Sequence, residues 1–395
     1  MQDIRVSFQQ CFNRAATLVV QSPGRINLIG EHTDYNHGFV LPAAIDKCVQ
    51  VAVAKRTDGF IHMHALDLNE MAILQVNTLE PHKITWVNYI IGVVVQAQKY
   101  NANASSNKVS HDLHKGFDIC LQGNIPIGAG LSSSAAVECA VLYALNEMYA
   151  LRLTKMQMAL MTQQSEHEFA GVKCGIMDMF ASLHGKKDQV ILLDCASFES
   201  TYFPLVLNGY QIILLDTQIK HELASSEYNT RRIECEKGIQ FIQQKYPTVK
   251  TLRDVTTSQV EECLKNNVSL EGTKVYERCK YVVDEIQRVQ IAVKDLLAGD
   301  IGAFGQKMFA THQGLSELYE VSCPELDILV NEVTGNPHVL GARMMGGGFG
   351  GCTINIIKET EVNTIINAVS SLYTQKTKRQ LKVYPVQIEQ GTHIK

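Results

Sequence analysis

Strand-like alternation of apolar and polar positions dominates the first part of the chain. Residues 17–21, 26–29 and 39–41 read as short strands, punctuated by Pro23-Gly24, by Gly30 and by the turn Asn36-His37-Gly38. Residues 47–55 alternate Val and Ala with polar side chains, and 60–65 and 72–76 continue the β pattern. A helical period takes over at 86–99, the polar stretch 101–110 reads as a surface loop, and 116–122 returns to strand. Two helices are predicted next, 134–149 and 155–169, the second opened by a capping box of Thr154 and Gln157. After strands at 190–194 and 211–215 the pattern is mainly helical from 226 to about 333. Strands at 342–345 and 352–357 flank a glycine cluster, and a helix at 362–373 and a strand at 382–388 follow. A β-rich first half and a helix-rich second half predict an α+β fold of two domains, 1–205 and 206–395.

Composition narrows what such a chain can do. Its 395 residues allow two to three domains at about 150 residues each. Lys plus Arg is 36 against 40 for Asp plus Glu, so there is no basic excess for nucleic acid or an anionic membrane. With 46% hydrophobic and 19% charged residues the chain can bury a large core. Apolar runs such as 89–95 fall short of the about 18–20 residues of a membrane span, and MQDIRVS lacks the marks of a signal peptide. The eleven cysteines show no CxxC and no Cys/His metal spacing, and Cys120, Cys139 and Cys352 sit in apolar runs as free thiols do. A reducing, cytoplasmic setting is the expectation.

Three glycine-bearing segments can carry chemistry. In Gly123-Asn-Ile-Pro-Ile-Gly-Ala-Gly-Leu-Ser-Ser-Ser-Ala-Ala136, Gly128 and Gly130 allow close backbone approach to a ligand, and Ser132, Ser133 and Ser134 precede an apolar helix. Such a loop aims free N–H groups and the positive helix end at an anion, for which phosphate is the natural guest. It is neither a Walker A loop nor a dinucleotide fingerprint. A plain strand–turn–helix with serine caps is the alternative, and five Gly or Ser in seven positions favour the phosphate.

In the second segment, Ala342-Arg-Met-Met-Gly-Gly-Gly-Phe-Gly-Gly351, Gly346, Gly348 and Gly351 match GxGxxG, but a strand follows instead of a helix, so the dinucleotide reading fails. A tight bend and a ligand loop remain equal readings. The third, Ser22-Pro-Gly-Arg-Ile-Asn-Leu-Ile-Gly-Glu-His-Thr-Asp-Tyr-Asn36, crowds Glu31, His32, Thr33 and Asp34 after Arg25. That suits a polyhydroxylated ligand, or else a turn formed by Asp34 and Asn36. Asp178, among apolar residues, is a helix N-cap or a desolvated catalytic acid. Glu166, in the last turn of its helix, is a solvated side chain or a cation ligand.

Together these segments resemble the three motifs of the kinase superfamily named for galactokinase, homoserine kinase, mevalonate kinase and phosphomevalonate kinase. Gly24-Arg-Ile-Asn-Leu-Ile-Gly-Glu-His-Thr-Asp-Tyr-Asn36 resembles the galactokinase signature, and the resemblance runs from about residue 15 onward. It implies a sugar-kinase fold with the active site between the domains, ATP and magnesium as cofactors, galactose as substrate and a monomer. On that likeness Asp178 and Arg25 are catalytic, and Glu31, His32, Thr33, Asp34, Gly175 and Tyr228 bind sugar. Gly128, Ala129, Gly130, Leu131, Ser132, Ser133 and Ser134, with Gly346, Gly347 and Gly348, cradle the nucleotide, and Ser134 and Glu166 hold the metal. Met179 and Met345 depart from the Gln and Thr common in the family, and tuning is expected of them, not loss. A kinase for N-acetylgalactosamine or arabinose and a silent sugar sensor are the competing functions.

Weaker signals complete the reading. His62 and His64 share a strand face without an evident third metal ligand, and an exposed polar face accounts for them. The basic run 375–382 reads as a solvated connection. Trp86 borders a nucleotide base or is half-buried in the core.

Overall fold

The computed structural model describes residues 3–103, 111–219 and 224–395. Its strands are β1 (Leu18–Asn27), β2 (Phe39–Val40), β3 (Pro42–Lys55), β4 (Phe60–Ala65), β5 (Glu70–Gln75) and β6 (Gly116–Gly123). They continue with β7 (Gln189–Asp194), β8 (Ser200–Pro204), β9 (Tyr210–Asp216), β10 (Val339–Met344), β11 (Cys352–Lys358), β12 (Lys382–Val386) and β13 (His393–Ile394). The helices are α1 (Ile4–Phe12), α2 (Thr85–Asn103), α3 (Ser133–Tyr149), α4 (Lys155–Ser165), α5 (Met177–His184) and α6 (Ala224–Lys245). The rest are α7 (Thr257–Leu264), α8 (Val275–Leu297), α9 (Ile301–Gln313), α10 (Pro324–Val333) and α11 (Val362–Thr377).

A six-stranded sheet has the order β13–β1–β3–β6–β4–β5, a four-stranded sheet β10–β11–β9–β12, and a three-stranded sheet β2–β7–β8. Alternation along β3 decides the layering of the first sheet. Val49, Val51 and Val53 join α2 and α3 in the main core, whereas Ala52 and Ala54 lie on the other face under α1. The capping box at Thr154 and Gln157 forms as expected.

Several expectations change. The turn expected at Pro23-Gly24 is instead a point within one continuous strand, where the β1–β3 register shifts between Pro23 and Arg25. Pro23 tolerates this place because it is a ladder irregularity, where a missing N–H costs little. The helix expected at 155–169 ends at Ser165 and runs on as a π-helical turn, Glu166–Ala170. In the loop expected at 101–110, residues 101–103 finish α2 and 104–110 lie outside the described residues.

The second domain expected at 206–395 does not keep its last residues. β13 pairs with β1, and Ile388 bridges Ile45, so the C-terminal tail belongs to the first sheet. The largest apolar cluster also takes Ile212, Leu214, Met345 and Cys352 from the second half, so the two halves share a core. No helix among the described residues is long and apolar enough to cross a membrane.

Candidate active site

Arg25 leaves β1 just past the register shift and reaches the first turn of α5. Its Nε donates to Asp178 Oδ1 at 2.7 Å and its Nη1 to the Gly130 carbonyl at 2.6 Å. Ser132 Oγ donates to the other Asp178 oxygen at 2.5 Å. Both carboxylate oxygens are therefore oriented, and Asp178 does not cap its helix, which displaces the N-cap reading. Burial works against the Arg25 charge, but Asp178, Glu31 and Asp34 outweigh it and hold the guanidinium protonated.

The segment after β1 forms the opposite wall. Glu31 is buried and accepts from Arg343 Nη1 at 2.7 Å. Arg343, itself fully buried, also donates to the carbonyls of Leu28 and Met344, at 2.9 and 2.6 Å, and to that of Asn27. His32 holds a left-handed φ of 63°. Its Nδ1 pairs with Tyr35 Oη at 2.8 Å, and Tyr35 Oη in turn pairs with Tyr319 Oη at 2.8 Å. Its Nε2 has no hydrogen-bond partner. Burial, helped by the Arg231 and Arg343 charges, pushes His32 down to about 3, so the ring is neutral. Asp34 is pushed up to about 7 by burial and by the neighbouring Asp178. Its Oδ2 lies where only glycine fits at position 175, since a Cβ there would stand 2.0 Å from it.

These groups line a cavity of about 440 Å³, with Arg25, Asp178, Glu31, His32, Asp34 and Tyr228 on its walls beside Gly128, Ser134 and Gly346 to Gly348. A second cavity, of about 460 Å³, lies alongside and is mostly apolar, with Trp86, Tyr89, Ile84 and Val137 facing Ser133 and Ser134. Ser134 lines both. The serine loop enters α3 through Ser132 in the left-handed region, φ 57°. It is held against the third glycine segment backbone to backbone, because a Cβ on Gly130 would come within 2.9 Å of the Met345 carbonyl.

Glu166 sits beside this junction, at the point where α4 becomes the π turn. Burial pushes it up to about 7, against hydrogen bonding from Ser134 and with help from the Asp178 charge. Glu138 is buried next to it and also raised, by burial and by Glu166. One Glu138 oxygen accepts from Ser165 Oγ at 2.7 Å, and the Glu138 and Glu166 carboxyls are hydrogen-bonded to each other. Among the described residues no Lys, Arg or His pairs with either acid. Buried, uncompensated oxygen donors beside a phosphate-type loop fit a hard divalent cation.

Residues 6–55 match the galactokinase galactose-binding signature, 88–186 the GHMP kinases N terminal domain, and 292–375 the GHMP kinases C terminal family. Galactokinases of Thermotoga maritima and Clostridium acetobutylicum are 39% and 38% identical over 376 and 387 residues, covering 94% and 97% of this chain and 98% and 96% of theirs. The chain belongs to the galactokinase family. The crystal structure of Lactococcus lactis galactokinase complexed with galactose matches with a TM-score of 0.89 at 30% identity, covering 99% of this chain and 98% of that one. A mevalonate kinase structure, 19% identical with a TM-score of 0.59 and covering 94% and 99%, shares the fold.

Against this frame, most of the family-derived residues meet at the two cavities, and a few serve them from behind. Thr33 is corrected: its hydroxyl donates to the Gly30 and Phe39 carbonyls, at 2.8 and 2.6 Å, so it shapes the turn. Gly175 backs Asp34, Leu131 is buried with its carbonyl taken by the Arg25 N–H at 3.2 Å, and Ala129 is buried in the loop. Met179 and Met345 are both buried in the main core. Trp86 lines the apolar cavity and donates to Glu70 Oε2 at 2.6 Å.

Arg343, Glu138 and Tyr319 were missed from sequence. Arg343 had a signal, as a cation within an apolar strand, and so had Glu138, an acid in the apolar first half of its helix. Tyr319 had none, since it reaches Tyr35 from 284 residues away.

Proposed function

We propose that the chain transfers the γ-phosphoryl group of ATP to the anomeric hydroxyl of α-D-galactose, giving α-D-galactose 1-phosphate and ADP. The observation that carries this is the Arg25–Asp178–Ser132 constellation on the polar cavity, which meets the apolar cavity at Ser134. The match of residues 6–55 to the galactose-binding signature favours galactose over a related sugar. The complete Ser132-Ser-Ser-Ala-Ala136 loop argues against a silent sensor.

Galactose takes the cavity of Glu31, His32, Asp34 and Tyr228, where the free His32 Nε2 and the Asp34 carboxyl meet its hydroxyls. The adenine and ribose take the apolar cavity beside Trp86, and the phosphates lie over the backbone of Gly128 to Ser134, against Gly346 to Gly348. As the C1 oxygen bonds to the γ-phosphorus and the bond to the β–γ bridging oxygen breaks, Asp178 accepts the hydroxyl proton or guides it electrostatically. Arg25 holds the Asp178 carboxylate in place through its Nε and faces the charge that builds on the transferring group. Ser134 and Glu166 would hold Mg2+, which when bound supplies charge neutralisation at the phosphates. We read the cleft as lying between a first domain, 1–205 joined by the C-terminal tail, and a second made of the rest of 206–395, in a cytoplasmic monomer.

Incubation with ATP, Mg2+ and a sugar panel tests this. Phosphorus NMR should show an anomeric phosphate formed fastest from galactose. No product from any sugar, or faster turnover of N-acetylgalactosamine or arabinose, would overturn the assignment.

A further inference from the structure

The outer face of the first sheet carries a side-chain cluster that phosphoryl transfer does not use. On β6, Phe117 and Ile119 point into the main core while Cys120 lies on the other side under α1. On β4, Ile61, Met63 and Ala65 point inward, which leaves His62 and His64 outward. His64 stands directly opposite Cys120 in the parallel β4–β6 pairing. α1 lays Cys11 over them, with its Sγ 2.8 Å from His64 Nδ1. One ligand atom from each of the three residues lies within 4.8 Å of the others.

We propose that Cys11, His64 and Cys120 form a zinc site that pins α1 to the sheet. Zn–S and Zn–N bonds of about 2.3 and 2.0 Å in a tetrahedron place ligand atoms about 3.5–3.8 Å apart, so the cluster closes around the ion with shifts of about 1 Å. Two thiolates and an imidazole select zinc over hard cations. Cys11 and His64 are half-buried, which leaves a path for the ion and a fourth position for water. Asp118, a carboxylate on that face, is held by Arg14 and Arg56, with His62 Nδ1 3.8 Å away, and is not one of the clustered ligands. The third ligand missing from the reading of the two histidines is thus supplied by a helix and a neighbouring strand far off in sequence. This site lies across the sheet from α3 and does not depend on the proposed reaction.

The full chain, stripped with a chelator and kept reduced, is titrated with Zn2+ while bound metal and melting temperature are measured. One zinc per chain and a raised melting temperature are expected, and Co2+ in its place should give a thiolate charge-transfer band. Cys11→Ser, at the end of α1 where folding is least at risk, and His64→Gln should each weaken zinc binding by more than the about 10–100-fold that loss of an outer-shell partner costs. Both variants should lose the melting shift while keeping galactose phosphorylation unchanged. Substoichiometric zinc in the unaltered chain, equal binding by the variants, or a Cys11–Cys120 disulfide with no zinc would each overturn the site.

Discussion

Asp34 shows how this cleft trades stability for function. Its native carboxyl holds a proton up to about pH 7, whereas the ordinary value is 3.8. Between those values the native state binds more protons than the unfolded state, so this group makes stability fall as pH rises. Glu166, also raised to about 7, acts in the same direction. Asp34→Asn removes the ionisation and should stabilise the empty protein by on the order of 2–4 kcal/mol at pH 8, and by far less at pH 4. Melting temperatures across that range check this, and a variant no more stable than the parent at pH 8 contradicts it. On the proposed function, the same variant should bind galactose more weakly at pH 8, because the charged acceptor proposed to face the sugar is gone.

At the scale of elements, the decisive contact joins two loops that sequence pattern alone leaves unrelated. Gly130 holds φ +77° with the Met345 carbonyl oxygen 2.9 Å from where its Cβ would be. Gly130→Ala should therefore cost about 1–3 kcal/mol of stability and push the serine loop off the third glycine segment. Turnover should fall with it, and the measurement is a denaturation midpoint paired with steady-state kinetics. An unchanged midpoint and unchanged turnover would contradict the close approach.

Periodic elements were legible: β4 begins and ends as the alternation predicts, and α3 begins one residue before the expected start. Elements without a period were not. α5 has eight residues, six of them buried, so no polar face marks it, and β13 is a two-residue strand defined only by its partner β1. Pro23-Gly24 carried the local chemistry of a turn, but pairing with β3 overrode it. In the site, the motifs pointed to the lining residues, whereas Thr33 shows that membership of a motif does not separate a ligand-facing hydroxyl from one spent on its own turn.

Across the whole molecule, the buried pair of Glu31 and Arg343 ties the sugar segment of the first half to β10 of the second. The shared core and the returning tail do the same work through apolar contact and backbone pairing. Glu31→Gln leaves a fully buried guanidinium without its counter-charge and should destabilise the protein by about 3–5 kcal/mol. Urea unfolding reads this directly, and an unchanged midpoint would show that the carbonyls around Arg343 suffice.

The reaction assigned to the cleft rests on Asp178 acting at the sugar hydroxyl and not as a structural partner of Arg25. Asp178→Asn keeps the shape and an acceptor for the Arg25 N–H while removing the charge. Galactose affinity, read by calorimetry, should stay close to that of the parent, while turnover should fall about 10²–10⁴-fold. Turnover equal to that of the parent, with galactose still bound, would contradict the account.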